Sequence, residues 1–368
     1  MNIKANAAVL NEISGSLTIQ PIEVEKPRAD EVLVEIVACG ICHTDVVVSK
    51  GALSVPTPVV LGHEGAGNVI SVGAAVNNVS VGDAVILSYG SCGNCRACVS
   101  DQAPYCQDFV GLNFKAMRSD NSVAFSSNGK NIHSHFFGQS SFSTHVVAPS
   151  RNLVKAPLDI PLNILAPLGC GIQTGAGSIL NELKVQAGST VLIMGAGAVG
   201  MAAIMAARIA GAASIIALDL SETRLALAQE LGATHSLLSD GRSLSELLNS
   251  INVRGADYIL DTTGVPALVN DAVSFLNIRG TIGLTAAYPH EQMMEIEFAS
   301  MMIGGRRVQG IVEGSAVPQD FIPKLISYYR QGMFPFDRLI EHFSFTDINE
   351  AMHACETSRI IKPVVCML

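Results

Sequence analysis

Apolar positions along the chain fall into two regimes. Up to about residue 170 they come as short β-branched runs that stop at Gly or Pro. Examples are EVLVEIVACG (31–40), GHEGAGNVISVG (62–73) and VGDAVILSYG (81–90). No sustained period of 3.6 residues runs through this half, so the pattern predicts an irregular, strand-dominated domain whose loops carry sites. From about residue 172 the texture changes. Runs such as TVLIM (190–194), SIIALD (214–219), DYILD (257–261), TIGLT (281–285) and RVQGIV (307–312) alternate with helical patterns. One such helix lies in SETRLALAQELGA (221–233), with Ser221 placed to cap its start and Gly232 to stop it. Strand–helix alternation predicts a parallel sheet wrapped by helices, hence an α/β protein. Beyond residue 313 the pattern is mixed again: PKLISYYRQG reads as helix, and KPVVCML as a strand returning to the first domain.

Composition adds scale and excludes partners. At 368 residues the chain is too long for one simple core, and 49% hydrophobic residues with 15% charged describe a well-buried globular enzyme. Its 23 basic and 32 acidic residues leave a net charge of -9, and with no basic block nucleic acid is not an expected partner. The start, MNIKANAAVLNEIS, lacks the features of a signal peptide. Residues 185–207 hold no charge and are long enough to cross a bilayer. A buried strand followed by a core-packed helix explains the run equally well, so a soluble, cytoplasmic protein without a membrane partner is expected. Nine cysteines, an odd number, without a secretion signal read as reduced thiols, and the clustered ones as ligands rather than disulfides.

That same stretch carries Gly195, Gly197 and Gly200 as G-x-G-x-x-G, directly after an apolar strand and opening an Ala-rich helix. Gly195 serves a tight turn, Gly197 lets the backbone approach a diphosphate, and Gly200 permits close helix–strand packing. The helix N-terminus offers free N–H groups to the phosphates. Asp219 ends the next strand, where a carboxylate accepts from ribose hydroxyls and repels a 2′-phosphate, which favours NAD over NADP.

Two groups of metal-type ligands remain. Cys42 lies in CGICHTD, His63 and Glu64 in LGHEGAG, and Cys170 in APLGCGIQTGAG. Taken singly, each has an ordinary reading as a small buried thiol or a hydrogen-bonded core histidine. The run CGNCRACVSDQAPYC (92–106) packs in four more thiols, Cys92, Cys95, Cys98 and Cys106.

In order and spacing these motifs, with GAGAVG behind them, resemble the zinc-dependent medium-chain alcohol dehydrogenases over essentially the whole chain. The resemblance implies a GroES-like catalytic domain, residues 1–171 with 314–368, and a Rossmann NAD-binding domain, residues 172–313. It implies Cys42, His63 and Cys170 as catalytic zinc ligands, Asp45 holding the imidazole of His63, and Glu64 beside the metal. The four clustered cysteines look like a closed structural zinc site, giving two zinc ions per subunit. An iron–sulfur cluster would want a fourth cysteine three residues on and then proline, whereas Cys106 follows after seven and precedes Gln107.

By the same resemblance Thr44 passes the alcohol's proton toward the nicotinamide ribose. Many relatives carry a histidine three positions later; here it is Val47, which leaves water or another base as the outer acceptor. His43 and Lys362 match basic positions over the coenzyme diphosphate, Arg224 flanks the adenosine ribose, and Thr174 and Val199 pack against the nicotinamide. LGCGIQTGAG is similar to the aryl-alcohol branch, which oxidises benzyl alcohol and its relatives. Stretches such as KGALSVPTP and ILSYG hold no acidic residue, which suits an apolar alcohol or aldehyde. A glutathione-dependent formaldehyde dehydrogenase shares LGCG, but Gly51 and Leu53 stand where charges would grip glutathione. A short-chain aliphatic alcohol dehydrogenase ranks third. A relative that had lost catalysis should lack zinc ligands, whereas Cys42, His63, Cys170 and Asp45 are all present. Pairing near residues 307–312 as a homodimer or homotetramer is also implied.

Overall fold

The strand–helix alternation of the second half folds into one six-stranded sheet. Its order is His235–Leu238, Ser214–Asp219, Thr190–Met194, Ala256–Asp261, Leu276–Leu284, Arg307–Gly310, and every neighbouring pair runs parallel. Sequence order reverses direction across the sheet at Thr190–Met194, and ligands of such folds bind beyond the carboxyl ends of the strands at that point. The structure is a computed structural model describing residues 2–288 and 291–367. It divides the chain into two units. One holds the residues up to Gly171, Val317–Pro323 and those from Asp337 onward; the other holds Ile172–Ala316 and Lys324–Phe336.

Within the second unit, Val191–Met194 and Met201–Ala207 are fully buried. The charge-free run is therefore a central strand and the core-packed helix Ala198–Ile209, and no described helix is long and apolar enough to cross a membrane. Ser221 caps Glu222–Leu231 by accepting from the Arg224 N–H, and Gly232 ends that helix at φ +131°. Two strands differ from the expectation. His235–Leu238 is an edge strand with polar His and Ser, which hides it from an apolar-run reading. Leu276–Leu284 begins well before Thr281, because the polar Asn277 and the left-handed Arg279 (φ +68°) break the apolar pattern near a register shift.

The first unit is built on two sheets. The first is ordered Val59–Val60, Ile3–Leu10, Leu17–Val24, Phe125–Ser127, Lys130–Ile132. The second is ordered Leu153–Lys155, Ala84–Leu87, Glu64–Val72, Glu31–Gly40, Lys362–Cys366, Ile340–Ser344, with His145–Pro149 also paired to Glu31–Gly40. The tail strand Lys362–Cys366 docks antiparallel on Glu31–Gly40. That docking carries Lys362 to the loop end of the strand preceding Cys42. Phe125, Phe136 and Phe142 fill the core between these elements.

Candidate active site and metal centres

Cys42 follows the strand Glu31–Gly40 and starts the helix His43–Ser49. Glu64 opens the strand Glu64–Val72, directly after His63, and Cys170 sits between the turn Ala166–Gly169 and the helix Gly171–Gly177. One ligand atom from each of Cys42, His63, Glu64 and Cys170 lies within 4.8 Å of the others. Asp45, fully buried, receives the Cys42 N–H on Oδ2 (3.0 Å) and the Gly62 N–H (3.1 Å) and His63 Nδ1 (3.0 Å) on Oδ1. With Nδ1–H given to a carboxylate, the lone pair of His63 is on Nε2. That atom is buried and has no hydrogen-bond partner among the described residues. A buried, unsatisfied imidazole nitrogen is costly unless something binds it. Two sulfurs beside it complete a donor set that suits zinc with an open position.

The electrostatics favour a cation in the same place. The Cys170 side chain and, against burial, His63 hold the Cys42 thiol well below its ordinary range. Burial pulls the His63 imidazolium down, but the Asp45 carboxylate and the Cys42 sulfur reverse the sign and lift it well above its ordinary value.

Glu64 is fully buried and held from the other side. Its Oε1 accepts from Gly171 N–H (3.0 Å) and Lys362 Nζ (2.9 Å), its Oε2 from Lys362 Nζ (3.0 Å), and Lys362 also donates to the Ile41 carbonyl (3.1 Å). Burial disfavours the Lys362 ammonium, yet the Glu64 carboxylate more than compensates and keeps it charged. Gly40 is required here, because a Cβ would stand 2.0 Å from Glu64 Oε2. Lys362, for which the resemblance implies a place over the coenzyme diphosphate, is buried, and its ammonium meets three protein acceptors. His43 is exposed, Thr44 is half-buried with Oγ1 3.7 Å from Cys42 Sγ, and Val47 is half-buried.

In the other unit the glycine motif forms a tight turn into the helix Ala198–Ile209. Gly195 takes φ +94° with Thr262 Oγ1 2.4 Å from where a Cβ would stand, and a Cβ on Gly200 would meet the Gly195 carbonyl at 1.8 Å. Gly197, at the helix start, faces open space. Asp219 receives Ala196 N–H (2.6 Å) and Ser221 N–H (2.9 Å), one on each oxygen, so the carboxylate is fixed beside the turn. Arg224 is half-buried in the first turn of the next helix. Thr174 is 8% exposed, and a Cβ on its neighbour Gly175 would meet the Val199 carbonyl at 1.9 Å. The Thr174 helix is thus pressed onto the glycine motif itself, at Val199 between Gly197 and Gly200.

Comparison with known proteins places this arrangement. Residues 28–158 match the Alcohol dehydrogenase GroES-like domain and residues 198–328 the Zinc-binding dehydrogenase domain. The geraniol dehydrogenase of Castellaniella defragrans is 41% identical over 99% of this chain and 98% of its own. The chain belongs to the medium-chain zinc alcohol dehydrogenases. A crystal structure of an alcohol dehydrogenase zinc-binding domain protein from Burkholderia ambifaria is 44% identical with a TM-score of 0.97. That of the benzyl alcohol dehydrogenase of Acinetobacter calcoaceticus is 39% identical with a TM-score of 0.96, both chains covered in full in each case.

The dehydrogenase carries its second thiol cluster in a segment with little core of its own. No residue of the short helix Arg96–Val99 is buried, and Val99 is 68% exposed. Sγ atoms of Cys92 and Cys98 lie 3.8 Å apart and those of Cys95 and Cys106 4.0 Å apart, all four within 4.8 Å. Four sulfurs about 2.3 Å from one zinc would be about 3.8 Å from each other, so the cluster has the size of a closed tetrahedral site. Backbone N–H groups of Gln107 and Cys98 bring the Cys95 thiol down to about 6, while burial pushes Cys106 up to about 12.

Several residues around His63 gave no signal in the sequence. The Phe137 ring stacks on the imidazole at 4.4 Å, Phe136 meets it edge-on at 5.6 Å, and Phe114 packs on Phe137 at 5.1 Å. Gln139, fully buried, accepts from Gly65 N–H (3.1 Å) and donates to the His63 carbonyl (2.9 Å). The segment is wound tightly enough to put His135, Phe137 and Ser140 at φ +68°, +51° and +56°. Three non-glycine residues in that region are a local strain of the kind that gathers at functional sites.

Proposed function

We propose that the dehydrogenase oxidises primary alcohols of the benzyl type, and allylic alcohols of like chemistry, to aldehydes, with NAD accepting the hydride. The observation that carries the alcohol-oxidising part of this reading is the donor set of Cys42, His63 and Cys170, with a buried His63 Nε2 that no described residue satisfies. Geraniol and benzyl alcohol, the compounds in the names of two relatives, share a carbinol carbon joined to an unsaturated carbon, which supports that substrate class.

Cys42, His63 and Cys170 would hold the catalytic zinc, and Cys92, Cys95, Cys98 and Cys106 the structural one. Bound at the first site, zinc would supply Lewis-acid polarisation of the alcohol oxygen and so make its hydroxyl more acidic. Asp45 fixes the tautomer and orientation of His63, as carboxylates do for zinc-bound histidines. Thr44 Oγ1, beside Cys42, would take the alcohol's proton and pass it toward the nicotinamide ribose; the Val47 side chain carries no donor or acceptor, which leaves water or another base as the outer acceptor. Gly195, Gly197 and Gly200 take the diphosphate, Asp219 the adenosine ribose with Arg224 beside it, and Thr174 with Val199 the nicotinamide. His43, being exposed, remains available to the diphosphate. Self-association through the edge strand Arg307–Gly310 is supported by the exposed Phe298, Met302 and Ile303 on the preceding helix.

The test is NADH formation from benzyl alcohol, geraniol, ethanol and formaldehyde with glutathione. A kcat/KM at least tenfold higher on the first two than on ethanol is expected. Turnover of the glutathione adduct alone would overturn the substrate reading, and a preference for NADP would overturn the role given to Asp219.

A further inference from the structure

Resting on the dinucleotide reading, we infer that Asp261 and Tyr288 act as a positioning pair that shapes the nicotinamide half of the coenzyme crevice. Asp261 ends the strand Ala256–Asp261, immediately beside Thr190–Met194 and its glycine turn, and is fully buried. Its carboxylate gathers four donors. Oδ1 accepts from the Thr263 N–H (3.1 Å) and hydroxyl (2.6 Å), and Oδ2 from the Gly264 N–H (3.1 Å) and the Tyr288 hydroxyl (2.7 Å).

The turn so fixed presses on the fingerprint. Thr262 donates its hydroxyl to the Met194 carbonyl at 2.8 Å, and its Oγ1 fills the space a Gly195 side chain would need. Tyr288 reaches in from beyond the end of Leu276–Leu284, the strand on the other side, where the Thr285 N–H also bonds to the Asp261 carbonyl (3.2 Å). One carboxylate therefore ties two loops together at the carboxyl end of the sheet.

Which half of a dinucleotide these loops face follows from strand order. The sheet is two mononucleotide-binding halves meeting at Thr190–Met194. Asp219 ends a strand of the half His235–Leu238, Ser214–Asp219, Thr190–Met194, where the adenosine ribose goes. Asp261 and Tyr288 belong to the other half, and the nicotinamide is what remains for it. Neither residue was singled out by the sequence, because an Asp and a Tyr far apart in an apolar stretch match no motif.

The experiment compares binding of NADH and of ADP-ribose, which lacks the nicotinamide, to the full chain. The protein has no tryptophan, so the dihydronicotinamide emission reports binding without interference, and calorimetry reads ADP-ribose. In Tyr288→Phe, NADH affinity is expected to fall about tenfold, the scale of one hydrogen bond to a charged group. ADP-ribose affinity should stay as in the wild type, while the melting temperature falls only slightly, because Asp261 keeps its three other donors. Asp261→Asn, which turns an amide toward N–H donors, should lose more NADH affinity than Tyr288→Phe. Should it fail to fold, Tyr288→Phe alone decides the matter. Unchanged NADH affinity in Tyr288→Phe overturns the inference, and so does an equal loss for both ligands, which would mean general damage. Wild-type protein that binds neither ligand would sink the dinucleotide reading along with it.

Discussion

Replacing Lys362 by methionine separates a structural ammonium from a coenzyme-binding one. The side chain is 2% exposed and its partner Glu64 is fully buried. Methionine keeps the length and apolar stem but leaves the Glu64 carboxylate with only the Gly171 N–H of the contacts now seen. Removing one member of a buried pair typically costs about 3–5 kcal/mol, because the remaining charge has been taken out of water without compensation. In a unit of this size about 1 kcal/mol moves Tm by roughly 2–4 °C, so the zinc-replete variant should melt roughly 6–20 °C lower. The double variant Lys362→Met with Glu64→Gln removes the orphaned charge and should recover at least half of the loss, a coupling read from the four-member cycle. Differential scanning calorimetry on all four proteins with zinc held constant measures this. A single variant that melts within about 2 °C of wild type but binds NADH at least tenfold more weakly would refute the structural assignment. It would return Lys362 to the diphosphate.

Three further outcomes follow from the same contacts. Asp45→Asn removes the anion that orients His63, and affinity for the catalytic zinc should fall about 10- to 100-fold in chelator competition; an unchanged affinity would mean that His63 is oriented by its packing alone. Cys98→Ser should lose one zinc equivalent and make residues 92–106 cleavable by protease, since that segment has almost no core to hold it; retained metal and resistance would contradict the structural-site reading. Burial opposes the Glu31 carboxylate, but bonds from His135, Arg118 and the Arg28 N–H hold it at about 2, below the ordinary 4.5. A depressed carboxyl stabilises the fold above its unfolded value and loses that contribution as pH falls toward the folded one. Glu31→Gln should therefore cost about 2 kcal/mol at pH 7, discounted for partial screening, and its urea midpoint should converge on wild type only below about pH 2.

Much of this was readable from the chain because it depends on short-range rules. A turn at Gly195, a cap at Ser221, a stop at Gly232 and thiols spaced for one ion each state their purpose within a few residues. What could not be read depends on contacts distant in sequence. Lys362 meets Glu64 only because the tail strand docks on Glu31–Gly40, and nothing near either residue names the other. Gln139 and Phe137 reach His63 through left-handed turns that no apolar period encodes. The edge strand His235–Leu238 escaped because an edge tolerates polar side chains.

The central claim is that Cys42, His63 and Cys170 form a catalytic zinc site separate from the four-cysteine one. Zinc per chain, counted by mass spectrometry alongside NADH formation from benzyl alcohol, tests it for the wild type and Cys42→Ala. Two zinc ions in the wild type are expected, with one ion and no turnover in the variant. A variant that keeps both ions, or turns over alcohol unchanged, would contradict the account.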